Sequence, residues 1–109
     1  MSNLDALTAT HLAKARAAEN GRSAEVLLHD GPLRQTVIAL ASGTELGEHN
    51  SPPAASILVL RGRVRVTALD GHDEVTAGEI RVLTHDRHAV LAREDSAFLL
   101  TTVTSVPRG

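Results

Sequence analysis

Apolar positions along this chain follow two rhythms. Over residues 2 to 20, Leu4, Leu7, His11, Leu12, Ala15 and Ala18 recur at roughly helical spacing, and Lys14-Ala15-Arg16-Ala17-Ala18-Glu19 has high helix propensity. Ser2-Asn3-Leu4-Asp5 reads as a capping box and Asn20-Gly21 as a C-terminal stop. The stripe is thin and rich in alanine. Such a helix is expected to dock on a surface made by the rest of the chain rather than to nucleate the fold.

After Gly21 the period shortens to two. Ala24 to His29 is a strand ended by Asp30-Gly31-Pro32, a turn signal. Leu33 to Ala41 follows, with Leu33, Gln35, Val37 and Ala39 on one face and Arg34, Thr36, Ile38 and Leu40 on the other. Ser42-Gly43 and Gly47 frame a connection leading to His49. Pro52-Pro53 cannot lie inside a paired strand, so the next strand starts near Ala54. Its run Ile57-Leu58-Val59-Leu60 is apolar on both faces and is expected to be buried on both.

Gly62 turns the chain into Arg63-Val64-Arg65-Val66-Thr67-Ala68-Leu69, which alternates strictly, and Asp70-Gly71-His72-Asp73 is expected to close a hairpin. Short strands follow at Glu74 to Thr76, Ile80 to Leu83, His88 to Ala92 and Ser96 to Val106, separated by Ala77-Gly78-Glu79, His85-Asp86-Arg87 and Arg93-Glu94-Asp95. A helix followed by about eight closely spaced strands predicts an all-β sandwich or closed barrel.

Composition narrows the functions open to that fold. At 109 residues the chain suffices for one core, divided here into an N-terminal helical extension (1–22) and a barrel domain (23–109). Formal charge is −2, with both signs interspersed, which argues against nucleic acid or an anionic membrane as partner. Absence of cysteine excludes disulfides, thiolate metal sites and cysteine nucleophiles. The N-terminus lacks the basic and apolar regions of a signal peptide, so a cytoplasmic protein is expected. With no Trp or Tyr and one Phe, Phe98, a ligand must be gripped by aliphatic walls and polar tips rather than by stacking.

From Leu33 to Val106 the chain resembles a small single-domain cupin, a jelly-roll β-barrel. That family's first motif has the form Gly-x5-His-x-His-x3,4-Glu-x6-Gly. Here Gly43 opens it, His49 follows at the right spacing, and Gly62 closes it. In the second motif, Gly-x5-Pro-x-Gly-x2-His, Gly78 supplies the start and His88 the histidine, one residue closer than usual. The stretch Glu94 to Thr101 resembles the final strand of many small bacterial cupins.

The resemblance implies a site for a divalent transition metal (Fe, Mn, Ni or Zn) held by three histidines and a carboxylate. Two positions match, His49 and His88. The family's second histidine falls on Ser51, its glutamate on Ala55, and the second motif's proline and glycine on Thr84 and Asp86. Two imidazoles without a carboxylate hold a divalent ion much less tightly.

His85 and His88 have opposite parity in a strand, so only one can face inward, and the motif selects His88. Ser51 has no nucleophile-elbow glycines around it, which argues against a serine hydrolase. The Arg61, Arg63, Arg65 alternation reads as the solvated face of an edge strand, and His11, His29 and His72 need no function.

The expected pocket has aliphatic walls with His49, Ser51, His88 and Gln35 as polar tips and Phe98 near its wall. Two readings follow. One is a binding module for a small molecule with a degenerate or absent metal site. The other is a metal-dependent dioxygenase- or isomerase-like enzyme using His49, His88 and an unidentified third ligand. A homodimer is expected from the doubly apolar strand at 57–60 and from what the resemblance implies.

Overall fold

The computed structural model describes residues 3–49, 54–68, 71–83 and 88–103, with the backbone alone at 48 and 49. Helix α1 (Leu4–Ala17) precedes nine strands: β1 (Arg22–Asp30), β2 (Leu33–Leu40), β3 (Glu45–His49), β4 (Ala54–Arg61), β5 (Arg63–Ala68), β6 (Gly71–Thr76), β7 (Ile80–Leu83), β8 (His88–Ala92) and β9 (Ser96–Val103). They form two antiparallel sheets, ordered β1-β2-β9-β4-β7 and β3-β8-β5-β6. This is a jelly roll, the form of all-β barrel that the resemblance implies. No described helix is long and apolar enough to cross a membrane.

The two sheets enclose the main core, in which Ile38, Leu40, Ile57, Val59, Val64, Val66, Val75, Val90, Ala92 and Phe98 pack together. The period of two decides which residues enter it. On β2, Ile38 and Leu40 point into the barrel, while Ala39 between them lies with Ala97, Leu12 and Ala15 in a second cluster under the helix. On β4, Ile57 and Val59 are fully buried, whereas Leu58 and Leu60 are only half-buried. The expected burial of 57–60 on both faces is therefore met on the inner face alone.

Helix α1 starts where Asn3 caps it, its side chain accepting from the Ala6 amide at 3.1 Å, so the cap is Asn3 rather than Ser2. It stops at Ala17, short of the expected residue 20. Ala18 is already extended, and the Gly21 amide bonds to the Ala18 carbonyl at 3.0 Å. Gly21, at φ +71°, in turn accepts from Ala41 at 2.8 Å, so pairing with the sheet ends the helix. The helix docks through Thr8, His11, Leu12 and Ala15. His11 is buried with both ring nitrogens satisfied: Nδ1 lies 2.7 Å from Ser23 Oγ and Nε2 3.0 Å from Glu25 Oε1, both on β1. It is an anchor for the helix.

Three sequence expectations need correction. The connection before His49 contains a strand, β3, carrying one large apolar residue, Leu46, packed against the core. The expected turn Asp70–Asp73 is in part strand: β6 already begins at Gly71, which pairs with Ala68, and Asp73 pairs with Val66, while residues 69–70 lie outside the described residues. And β5 is no edge strand, since β6 and β8 flank it. Its Arg65 is matched by Glu74 on β6 at 3.3 Å, which also meets Arg93 at 3.3 Å. Pro52-Pro53, His85-Asp86-Arg87 and the end of the last expected strand, 104–106, lie outside the described residues.

Beside the helix, the barrel end is tied shut. Gly62, at φ +85°, carries the chain from β4 to β5 against the Asp95 carbonyl and the Ser96 side chain, leaving no room for a Cβ. Fully buried Ser96 accepts from the Arg63 amide at 3.0 Å, and its hydroxyl is within donor reach of the Glu94 and Arg63 carbonyls, at 2.7 and 3.0 Å. Asp95 accepts from Arg16 Nε at 2.6 Å and from the Ser42 amide at 2.8 Å, pinning α1 to two loops. Those bonds, the Arg16 one first, hold its carboxyl below the ordinary carboxylate value.

Candidate functional site at the barrel mouth

At the opposite end the sheets diverge around a cavity of about 290 Å³. Val66 and Ala68 of β5 with Val82 and Leu83 of β7 form its aliphatic wall; Asp73, Arg81 and His88 supply the polar groups, and Gly71 and His72 the rim.

Strand register explains the polar set. Arg81 pairs with buried Ile57 on β4, so it takes the inner side of β7, while Val82 pairs with Ser56 on the outer side. Asp73 pairs with Val66, an inner residue of the other sheet. The two meet across the gap, Arg81 Nε donating to Asp73 Oδ2 at 2.8 Å. This ion pair bridges the two sheets where the chain passes from β6 in one to β7 in the other. Arg81 Nη1 also donates to its own strand's Ile80 carbonyl at 3.0 Å, and Nη2 lies 3.9 Å from Glu79 Oε2. The Asp73 hydrogen bond, followed by its charge, raises the guanidinium further above its ordinary value, so Arg81 stays charged. Glu79 is steadied by the Thr76 amide and hydroxyl, each 2.8 Å from Oε1, and those bonds hold its carboxyl below the ordinary value.

The candidates read from sequence separate here. His88 lines the mouth and is the direct register partner of His49 across the β3–β8 pair, where a bulge in β3 between Leu46 and His49 sets the match. Ser51 lies outside the described residues. Gln35 stands on the outer side of β2, alternating with core residues, and donates to Thr101 Oγ1 at 3.1 Å on β9. It is not among the residues lining the mouth. Phe98 is fully buried in the barrel core and does not line the mouth either.

Arg81 and Asp73 are the polar residues that the sequence reading passed over. The available signal was parity: Arg81 alternates with Ile80 and Val82 in a short apolar strand, and its inward side follows once Leu83 and Arg81 share a face. Asp73 reads in sequence as part of the Asp70–Asp73 turn.

Cupin folds imply a metal held by three histidines and a carboxylate, and the residues present do not fit that set. At the glutamate position Ala55 pairs with Leu83, placing a methyl group beside an aliphatic side chain where a charged oxygen would be required. Among the described residues no group of three His, Asp or Glu side chains could hold a metal ion. What the mouth does offer is a guanidinium beside a carboxylate, an imidazole, and an aliphatic wall: donors and acceptors for one polar end of a small molecule and cover for an apolar one.

No protein-family model matches the chain, and no curated protein matches its sequence. Solved structures do resemble it. A conserved protein of unknown function from Streptococcus pyogenes is 27% identical with a TM-score of 0.75, over 83% of this chain and 80% of that one. A cupin superfamily protein from Desulfitobacterium hafniense is 18% identical, also with TM-score 0.75, over 81% and 82%. A salicylate 1,2-dioxygenase from Pseudaminobacter salicylatoxidans is 15% identical with TM-score 0.76, over 90% of this chain and 33% of that one. With the jelly-roll order of the strands and the matched glycine frame, these likenesses establish the fold: this protein is a small cupin-fold domain, one barrel with an N-terminal helix packed outside it.

Proposed function

We infer that the protein binds a small, partly polar and partly apolar molecule in the barrel mouth, without the four-ligand metal centre of its fold class. One observation carries this reading. The mouth keeps a concave, aliphatic-walled site with Arg81, Asp73 and His88 directed at it, while Ala55 occupies the glutamate position beside Leu83. Such a site can take the polar end of a ligand on the Arg81–Asp73 pair and His88, and its apolar part against Val66, Ala68 and Leu83. A cytoplasmic metabolite is the natural class of ligand for a chain of this charge and composition.

The second reading, a divalent-metal enzyme, has one feature in its favour: His49 and His88 oppose each other on one rung. It lacks an identified third ligand, and one barrel hosts many unrelated activities, so likeness to a dioxygenase does not carry its chemistry over.

The test is a screen of small organic acids, alcohols and amines by NMR chemical-shift perturbation on metal-free protein. The reading expects saturable shifts centred on Val66, Ala68, Asp73 and His88, lost in Arg81→Ala and His88→Ala. Shifts that map elsewhere, or binding that requires added metal, would overturn it.

A further inference from the structure

We propose that the mouth selects its ligand by charge: it takes a small aliphatic amine, whose ammonium group meets Asp73 while its hydrocarbon lies against the wall of β5 and β7. The assignment rests on the mouth being the binding site proposed above, and names the class of molecule that enters it. Among the described residues that line the cavity, Arg81 carries the formal positive charge and Asp73 the negative one. Glu79 adds a second negative charge beside them, its Oε2 lying 3.9 Å from Arg81 Nη2. With the imidazoles uncharged, one guanidinium faces two carboxylates, and the described charges at this end leave a single net negative one.

Arg81 is already engaged on each of its nitrogens. Nε donates to Asp73 Oδ2 at 2.8 Å, Nη1 donates to the Ile80 carbonyl at 3.0 Å, and Nη2 faces Glu79. Glu79 is fixed in that position, because its Oε1 accepts from the Thr76 amide and hydroxyl at 2.8 Å and its own amide donates to the Thr76 carbonyl at 2.9 Å. A ligand carboxylate would bring a third negative charge to one guanidinium and would have to displace Asp73 to reach it. An ammonium group meets the opposite situation. Among the described residues none donates to Asp73 Oδ1, and this side chain is 60% exposed at the cavity, so an acceptor with full negative character stands open. Arg81 is here a positioning residue: by holding Oδ2 it sets where Oδ1 stands. Val66, Ala68 and Leu83 cover a short alkyl chain. The chain has no Trp or Tyr, and Phe98 is fully buried, so no aromatic face competes for the cation and the carboxylate carries its recognition.

NMR shift titrations of the full chain with butylamine, butan-1-ol and butanoate test this, at low salt and about pH 8, where a free imidazole is neutral and an alkylamine charged. The three probes share one alkyl chain and differ in the charge of the polar end. The amine should bind about tenfold more tightly than butanoate, with the alcohol between them and shifts centred on Val66, Ala68 and Asp73. Added salt should narrow that gap. Asp73→Asn should bring the ratio close to one, and Glu79→Gln, outside the lining, should reduce it. Butanoate or butan-1-ol binding at those residues as tightly as the amine would overturn the charge assignment and leave the mouth standing as the binding site. A preference that survives Asp73→Asn would overturn it too. Shifts at the mouth from none of the three would overturn the binding site along with it. Should Asp73→Asn fail to fold, the ranking in the unaltered protein decides alone.

Discussion

The two ends of the barrel are held together by different physics. At the end beside α1, side chains hold backbone in place: buried Ser96 serves Arg63, half-exposed Asp95 ties Arg16 to Ser42, and Gly62 fits where a Cβ cannot. At the mouth, one partly exposed ion pair, Arg81 with Asp73, bridges the sheets, and aliphatic residues stop short of filling the space. The first end gains from every interaction that removes freedom. The second gives up packing and keeps a cavity. Under the proposed function, stability and binding fall at opposite ends, as expected where a rigid frame presents a site.

The largest expected effect falls on the tied end. Gly62→Ala would force a left-handed conformation on a β-carbon that also runs into Asp95 and Ser96, at a cost of about 3 kcal/mol or more. Urea unfolding should show a markedly lower midpoint; an unchanged midpoint would mean that the close approach is not retained in solution. Ser96→Ala comes next. It removes a buried hydroxyl, leaves the Arg63 amide without that acceptor and should cost about 1–3 kcal/mol, read from the same unfolding curves.

Asp95→Asn is a smaller change with a pH signature. The folded-state carboxyl lies below its ordinary value of 3.8, so its contribution is fully present above that value and disappears as pH falls through the lower, folded-state one. Both partners of the ion pair are over a third exposed by side chain, 56% for Arg16 and 35% for Asp95, and screening reduces the gain to well under about 1 kcal/mol. The stability difference between Asp95→Asn and the unaltered protein should therefore be present at neutral pH and shrink in acid. A difference that grows in acid would contradict the assignment.

Smallest in stability is Arg81→Ala. At the mouth the ion pair is solvated, so the unfolding midpoint should barely move while ligand binding is lost. A variant that unfolds far more easily would make Arg81 a structural clamp and would blur the division between the ends.

How much of this could be read from the residues follows the same division. The tied end is local and periodic: Gly62, the alternation of β5 and the apolar run at Ile57 are visible in sequence, and they gave the barrel. The helix was legible too, with its end displaced from residue 20 to Ala17 because pairing of Gly21 with Ala41 is a long-range contact. β3 was hidden, since Glu45-Leu46-Gly47-Glu48-His49 has a single large apolar residue and derives its strand from β8. At the mouth, His88 could be found by motif. Arg81 and Asp73 could not, because their meeting depends on which side of two different sheets each faces. Gln35 takes the outer side of β2 for a reason of the same kind: Ile38 and Leu40, of opposite parity on that strand, point inward.

The central claim is that the mouth is a binding pocket lacking its fold class's metal centre. The most direct measurement is elemental analysis of tag-free protein after loading with Fe(II), Mn(II), Ni(II) and Zn(II) in turn, beside His49→Ala and His88→Ala. The account predicts metal far below one ion per chain, unchanged in both variants. Near-stoichiometric metal that is lost in both would contradict it and establish His49 and His88 as ligands.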